Sequence, residues 1–125
     1  FPVSRVNDIA LAAGAFLVAT PDGLYLSADS GLTWTRRENG LQPGTVSTLA
    51  VRPSRETEVV AAQFGRLYLS SNSGRDWREL PNSQLIEASL RRLFFHSSQP
   101  RILAITPDIG VFRLEIAPFQ AHNNR

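Results

Sequence analysis

The stretch that decides the fold is SADSGLTW, Ser27–Trp34, because it returns 43 residues later as SSNSGRDW, Ser70–Trp77. We call these two segments turn 1 and turn 2. The repeat extends backwards without a gap, so that AFLVATPDGLYLSADSGLTW (residues 15–34) aligns with EVVAAQFGRLYLSSNSGRDW (residues 58–77). Repetition at a fixed period of this size is the sequence signature of stacked repeat units.

A third copy of the repeat lacks the turn. The tripeptide TPD at residues 20–22 returns at residues 106–108, which is twice the same spacing, and GVFRL follows at 110–114 after one inserted residue. Upstream, VSTLAVRPS (residues 46–54) matches LRRLFFHSS (residues 90–98), with a weaker match at Val6–Ala12. The same elements therefore occur in the same order three times.

Each copy consists of short runs rich in Val, Leu, Tyr and Ala that are bounded by Pro, Gly, Asn and Ser, a pattern typical of β-strands. The apolar run from Ile9 to Ala19 is interpreted as two strands broken at Ala13-Gly14 and not as a secretory signal. Leu85–Leu93 could form a helical turn, but its match to a first strand favours a strand. The predicted strands are Val6–Ala12, Phe16–Thr20, Leu24–Ala28, Thr33–Arg37, Val46–Val51, Glu58–Gln63, Arg66–Ser71, Asp76–Leu80, Leu90–His96, Ile102–Thr106 and Val111–Ile116.

Four-stranded units at this period predict an all-β chain of β-propeller-type blades, each a four-stranded antiparallel sheet. We expect three blades within residues 1–117, at about 6–38, 46–80 and 90–116, two complete and the last three-stranded, and then a polar C-terminal tail at 118–125. Propellers close with about four to eight blades. Three blades therefore predict an incomplete ring, which is either a fragment of a larger propeller or one part of an oligomer in which two copies supply six blades.

Turn 1 resembles the Asp-box, Ser-x-Asp-x-Gly-x-Thr-Trp, of the BNR or sialidase-type repeat propellers. All five defining positions match, at Ser27, Asp29, Gly31, Thr33 and Trp34. The resemblance implies that such boxes join the two outer strands of a blade, at the blade periphery and away from a central active site. We therefore interpret turn 1 as a structural staple and not as a calcium, ligand or catalytic site.

Turn 2 keeps three of the five positions, Ser70, Gly74 and Trp77, with Asn72 in place of Asp and Asp76 in place of Thr. A short carboxylate or carboxamide accepts backbone N–H bonds within a turn, and glycine supplies a positive φ. Because asparagine carries no charge, turn 2 is predicted to be slightly weaker. The tryptophan of each turn is expected to bury its ring against a neighbouring sheet.

The search for catalytic residues yields one carboxylate. A glycosidase needs two carboxylates that face one cleft, and the candidates are Asp8, Asp22 and Asp108. The last two lie in the repeated Thr-Pro-Asp turn, which favours a turn-forming role. Asp8 falls on an innermost strand that would line a propeller channel, so it remains a candidate. Tyr25 and Tyr68 occupy equivalent repeat positions and are interpreted as core residues; no catalytic, cofactor-binding or metal-ligating residue is predicted.

Composition excludes several classes of protein. The chain has no cysteine, so disulfides and thiolate metal sites are excluded. All 13 basic residues are arginine and the net charge is only +2. The two arginine doublets, at 36–37 and 91–92, have Glu38 and Glu87 close to them, which argues against nucleic-acid binding. No run is long enough to span a membrane.

Two functions compete. The first is a non-catalytic Asp-box propeller module that binds protein or peptide through its channel face or loop rims, and that associates with itself or with the remaining blades of a parent propeller. It resembles the repeats of sortilin-type receptors, photosystem II assembly factors and exported bacterial proteins, and this resemblance implies an exported location. The alternative is a segment of a sialidase-like or xyloglucanase-like glycoside hydrolase, with glycan as ligand and its catalytic residues on other blades.

Overall fold

The computed structural model describes residues 5–37, 39–53, 55–80, 92–95, 101–106 and 110–115, the last three ranges by their backbone. Within these ranges the chain forms three antiparallel β-sheets and no helix. Sheet 1 contains β1 (Asp8–Ala12), β2 (Ala15–Thr20), β3 (Gly23–Ser27) and β4 (Thr35–Arg36). Sheet 2 contains β5 (Thr48–Val51), β6 (Val59–Gln63), β7 (Arg66–Ser70) and β8 (Arg78–Glu79). Sheet 3 contains β9 (Arg92–Phe95), β10 (Arg101–Thr106) and β11 (Gly110–Glu115).

Each sheet is a meander in which consecutive strands pair, in the orders β1-β2-β3-β4, β5-β6-β7-β8 and β9-β10-β11. The eleven predicted strands are therefore all present, as is the predicted four-four-three arrangement. The outer strands β4 and β8 have only two residues each. They are shorter than predicted because turns 1 and 2 occupy the residues that were expected to begin them.

Tight hairpins connect the inner strands. Ala13 and Gly14 join β1 to β2 with φ values of 49° and 87°, and Phe64 and Gly65 join β6 to β7 with values of 52° and 75°. Two successive positive φ values are typical of the two-residue turn that matches the twist of a hairpin. The interpretation of Ile9–Ala19 as two strands broken at Ala13-Gly14 is confirmed. Of the ambiguous segment Leu85–Leu93, residues 85–91 lie outside the described ranges, and the rest begins β9.

The main apolar core lies between sheets 1 and 2. Sheet 1 contributes small and aliphatic residues from β1, β2 and β3, and sheet 2 contributes larger ones, among them two aromatic rings. The buried members are Ala12, Ala15, Leu17, Ala19, Leu24, Leu26, Leu41, Val46, Leu49, Val59, Ala61, Tyr68 and Trp77. Tyr25 and Tyr68 are both buried, as expected for core residues. Burial raises the pKa of the Tyr68 hydroxyl, and the nearby Glu79 carboxylate raises it further.

The first strands of the three sheets are neighbours, because β1 lies beside β5 and β5 lies beside β9. Backbone hydrogen bonds tie the connection between sheets 1 and 2 to both of them: the Val46 amide donates to the Thr20 carbonyl at 3.0 Å, and the Trp77 amide donates to the Asn39 carbonyl at 2.8 Å. In the described part of the chain no helix is long and apolar enough to cross a membrane.

Two glycines at positive φ allow the cost of backbone strain to be distinguished from the cost of a steric clash. Gly14 has φ 87° and no atom within 4 Å of a Cβ built on it, whereas a Cβ on Gly40, at φ 94°, would lie 1.8 Å from the Trp77 carbonyl oxygen. We expect Gly14→Ala to cost about 1–2 kcal/mol of unfolding free energy from strain alone. Gly40→Ala should cost roughly 2–5 kcal/mol, since backbone must also move. Urea denaturation of the two variants measures this, and equal losses would contradict the close approach of Gly40 to Trp77.

Candidate functional site

Turn 1 is held together by its own side chains. The Ser27 hydroxyl donates to Asp29 Oδ1 at 2.8 Å and accepts the Gly31 amide at 2.8 Å. The Asp29 carboxylate also accepts the Thr33 amide at 2.9 Å and the Thr33 hydroxyl at 2.6 Å. The Trp34 indole N–H donates to the Gly31 carbonyl at 3.0 Å. The five residues that match the motif thus form one closed hydrogen-bond network.

Turn 2 forms the same hydrogen-bond network, but its carboxylate stands near the end of the turn, at Asp76, and not near the beginning, as Asp29 does in turn 1. The Ser70 hydroxyl donates to Asn72 Oδ1 at 2.9 Å and accepts the Gly74 amide at 2.8 Å. The Asp76 amide donates to Asn72 Oδ1 at 2.9 Å, and Asn72 Nδ2 donates to Asp76 Oδ2 at 2.8 Å. In turn 1 residue 33 donates to a carboxylate at 29, whereas in turn 2 residue 72 donates to a carboxylate at 76. Exchanging donor and acceptor together keeps every bond, so the replacement of Asp by Asn does not by itself remove a contact.

The two turn carboxylates are stabilised in their charged form. The hydroxyl and amide of Thr33, with help from Ser27, lower the pKa of Asp29 to about 2. The side-chain amides of Asn72 and then Asn39 lower the pKa of Asp76. Asn39 Nδ2 reaches Asp76 at 3.0 Å from the connection that follows sheet 1. Asp76 therefore links turn 2 to that connection as well as closing the turn.

The two turns differ in what they pack against. Trp77 is 6% exposed and belongs to the core between sheets 1 and 2, so its expected burial is confirmed. Trp34 is partly exposed and therefore less deeply buried than Trp77; that its ring lies against a neighbouring sheet stays a prediction. A Cβ on Gly74 would lie 2.6 Å from Leu17 Cδ2 of sheet 1, whereas one on Gly31 would lie 3.7 Å from the ring of Trp34, in its own turn. Turn 2 therefore packs on sheet 1.

Asp8 joins sheet 1 to sheet 2. Its Oδ2 atom accepts the Thr48 hydroxyl at 2.8 Å and the Leu49 amide at 2.9 Å, both from β5. Its Oδ1 atom accepts the Ile9 amide at 2.8 Å. Because Thr48 is only 2% exposed, its hydroxyl depends on this carboxylate. The structure thus gives Asp8 a bridging role, while its role as a channel residue stays a prediction.

Asp22, the second candidate carboxylate, lies in the turn between β2 and β3. The turn that contains Asp22 is closed by Thr20, whose hydroxyl accepts the Asp22 amide at 3.0 Å and donates to the Gly23 carbonyl at 2.9 Å. These bonds support the turn-forming interpretation of the Thr-Pro-Asp repeat. Asp108 lies outside the described residues. Within the ranges that the structure describes, no three His, Cys, Asp or Glu residues are grouped as a metal site would require.

Two buried polar groups that the repeat pattern did not single out contribute to the fold. Gln63 is fully buried, and its amide pairs like a peptide group with the backbone of Gln42, accepting at 2.8 Å and donating at 2.7 Å. Glu58 accepts Arg52 at 2.7 Å and Arg55 at 3.3 Å in the connection between β5 and β6. Both sites lie at one copy of the repeat only, and so a repeat comparison could not find them.

A shallow open depression of about 180 Å³ lies on the outer edge of sheet 2. Pockets for small molecules usually measure about 300–1,000 Å³. The depression is therefore small for a ligand site, and its Asp76 carboxylate already accepts two amides. Its lining residues are Leu69, Ser71, Asn72, Asp76, Trp77 and Arg78.

Comparison with solved structures identifies the class of fold. An ancestral GH74 enzyme is 20% identical with a TM-score of 0.68, over 82% of this chain and 14% of that one. YCF48 bound to D1 peptide is 16% identical with a TM-score of 0.68, over 88% and 37%. The β-propeller domain of Myceliophteria thermophila Cps50 (Swd1) is 13% identical with a TM-score of 0.61, over 90% and 38%. The sheets are therefore β-propeller blades, and the described blades do not close a ring.

The likeness is one of fold. Since these structures are at most 20% identical, they carry no activity over to this chain. The chain spans between 14% and 38% of the length of each of these three structures. No protein-family model matches the sequence, and no curated protein matches it.

The lowered pKa of Asp29 predicts how turn 1 responds to acid. Because the folded pKa, about 2, lies below the ordinary 3.8, the carboxylate stabilises the fold fully above about pH 4 and loses this contribution as the pH falls towards 2. We expect Asp29→Asn to be less stable than the wild type at pH 7 and the difference to shrink between pH 4 and pH 2. Thermal unfolding across this range measures the trend.

The reverse substitution in turn 2 is a matched control. Asn72→Asp places a second carboxylate beside Asp76. Its new oxygen replaces Asn72 Nδ2, which donates to Asp76 Oδ2 at 2.8 Å. Like charges repel, so this variant should be destabilised most at neutral pH and should recover as the pH falls. A loss of stability in Asn72→Asp that stayed constant from pH 7 to pH 2 would contradict the exchanged donor and acceptor roles of the turns.

The bridging role of Asp8 predicts a coupled loss of stability. Asp8→Ala leaves the buried Thr48 hydroxyl without its acceptor, which should cost about 1–3 kcal/mol. Thr48→Val removes the same bond from the other side, so the double variant should show a coupling energy of roughly 0.5–3 kcal/mol in a double-mutant cycle. Additive losses measured by urea denaturation would contradict the bridge between β1 and β5.

Proposed function

We propose that this chain is a non-catalytic Asp-box propeller module, a structural scaffold that binds protein or peptide within a larger or oligomeric propeller. The observation that carries the proposal is the use of its carboxylates. Asp29 and Asp76 close the two turns, Asp8 bridges β1 and β5, and Glu58 holds two arginines. Each of these acidic groups accepts bonds that hold a turn, a hairpin or a sheet interface together.

A rim loop of sheet 2 supports the binding part of the proposal. Phe64 is 62% exposed at the tip of the β6–β7 hairpin, with φ at 52°. A bulky residue at positive φ is strained, and asparagine or glycine would fill the position at lower cost. Exposed aromatic side chains are frequent anchors at protein interfaces. The binding rim is therefore assigned to the loop around Phe64, which packs beside Gly44.

The structural neighbours agree with either of two classes of ligand. YCF48 has been solved with the D1 peptide bound, which supports peptide as the ligand of a propeller of this shape. GH74 enzymes share the fold, which keeps a segment of a glycoside hydrolase as the second candidate. In that case glycan would be the ligand, and Asp8 would be the first residue to test.

Selection from a random peptide library, followed by fluorescence polarisation, tests the proposed function. We expect micromolar peptide binding that Phe64→Ala weakens about tenfold or more, since an interface anchor is worth about 1–2 kcal/mol or more. The matched control is Leu32→Ala, whose side chain is 83% exposed in turn 1 and should not affect binding.

The competing function gives a different result in the same samples. We expect no hydrolysis of sialosides or xyloglucan. Saturable binding of xyloglucan oligosaccharides that Asp8→Ala abolishes in a folded protein, together with no selected peptide, would overturn the scaffold proposal in favour of the hydrolase segment.

A further inference from the structure

Asn39-Gly40 is the one asparagine–glycine pair in the sequence. Both residues are exposed, and they lie in the connection between β4 and β5. An asparagine carboxamide can react with the backbone amide of the following residue when the two groups approach each other. Glycine hinders this approach least, because it has no Cβ. The pair therefore has the composition of a self-modification site, and its surroundings determine whether the fold leaves it reactive.

Packing against turn 2 fixes both members of the pair. Gly40 has φ 94°, and a Cβ built on it would lie 1.8 Å from the Trp77 carbonyl oxygen, so the position requires glycine. The Asn39 carbonyl accepts the Trp77 amide at 2.8 Å, and Asn39 Nδ2 donates to Asp76 Oδ1 at 3.0 Å. The contact that holds the connection on turn 2 is thus made by the same two residues that can react with each other.

The groups that would react are held by few bonds. The Gly40 amide, which is the nucleophile, donates no hydrogen bond to any described residue. Within the described ranges the Asn39 carboxamide makes one hydrogen bond, the exposed one to Asp76. The bond from the Trp77 amide can persist through ring closure, because the Asn39 main-chain carbonyl survives in the cyclic product. Ring closure therefore breaks one exposed hydrogen bond.

The corresponding pair in turn 2, Asn72-Ser73, is held in a different way. Asn72 Oδ1 accepts the Ser70 hydroxyl and the Asp76 amide, both at 2.9 Å, and Nδ2 donates to Asp76 at 2.8 Å. The Ser73 amide donates to the Thr57 carbonyl at 2.9 Å, and Ser73 is only 6% exposed. Attack of this amide on the Asn72 carboxamide would break the whole turn network, so the fold blocks the reaction here.

We propose that Asn39 is a site of spontaneous deamidation, and that the reaction releases the connection from turn 2. The Gly40 nitrogen forms a bond to Asn39 Cγ, the bond from Cγ to Nδ2 breaks, and the Gly40 amide proton leaves with the amino group as ammonia. Water then opens the cyclic imide. Addition at Cγ gives aspartate, and addition at the main-chain carbonyl gives isoaspartate, in which the backbone runs through the former side chain.

Both products weaken the contact with turn 2. Aspartate at position 39 places a carboxylate where Nδ2 now donates to Asp76, and like charges repel. Arg37, whose charge also helps to lower the pKa of Asp76, would offset part of this repulsion. Isoaspartate adds a methylene to the backbone beside Gly40, where the Trp77 carbonyl leaves no room for even a Cβ. The isoaspartate product should therefore be the less stable of the two.

Peptide mapping of the full chain by mass spectrometry, after ageing in mildly alkaline buffer, tests the proposal. A parallel sample aged in urea gives the rate at each asparagine without the fold. We expect Asn39 in the folded chain to react within about tenfold of its rate in urea and Asn72 to slow by at least about a hundredfold, because the reaction requires the two groups to reach one geometry. Asn72 is the matched control, since it lies in the same turn contact.

Thermal unfolding measures the consequence for the fold. The aged fraction, which carries an added negative charge and separates on ion exchange, should unfold about 2–8 °C below the fresh chain. Asn39→Asp should show part of this loss from the start. Asn39→Gln should keep its own unfolding temperature through ageing, because the longer carboxamide would have to close a larger ring and reacts far more slowly.

Two results would overturn the proposal. One is a folded chain in which Asn39 is protected as strongly as Asn72, since the fold would then block the attack at both sites. The other is an aged fraction that unfolds at the temperature of the fresh chain, since the contact with turn 2 would then not depend on the carboxamide. Neither result bears on peptide binding at the loop around Phe64, which is tested separately.

Discussion

The packing of one sheet on the next is the interaction on which this structure depends. A single four-stranded sheet is too thin to bury both of its faces, so its stability comes from its neighbours. At the interface between sheets 1 and 2, small residues on one side leave room for Tyr68 and Trp77 on the other. The contact is close enough that Gly74 has no space for a methyl group beside Leu17. Turn chemistry, glycine placement and the bridging carboxylate all act to hold this one arrangement.

The polar residues serve the same interface. Asp8 reaches across to β5, Asn39 connects the end of sheet 1 to Asp76, and Gln63 pairs with the backbone that links the sheets. Turns 1 and 2 form equivalent hydrogen-bond networks with different residues. This is possible because a hydrogen bond needs one donor and one acceptor, and either residue of the pair can supply the charged acceptor. The motif is therefore better described by its hydrogen-bond pattern than by its residue types. Its carboxylates accept the hydrogen bonds that close the turns.

Much of the fold could be predicted from the sequence because repetition is a strong constraint. Segments that recur at a fixed period are expected to adopt the same structure each time. From this repetition we predicted the three meanders, the hairpin at Ala13-Gly14 and the structural role of the turns. The short outer strands β4 and β8 were less predictable, since the residues around Trp34 and Trp77 can belong to a strand or to the turn before it. Gln63 and the pair of Arg52 and Glu58 could not be found, because their partners are set by a connection and a hairpin that the other copies do not share.

By itself the sequence determined the number and order of the strands, the position of each tight turn and the side of each strand that is apolar, since all of these follow from local chemistry and a period of two along each strand. Only the tertiary structure decided which apolar sides are covered. Trp34 and Trp77 are equivalent in sequence, yet one is partly exposed and the other is buried. The reason is physical: burial belongs to a pair of surfaces, and Trp77 shares with residues of sheet 1 the core cluster that the two sheets form together.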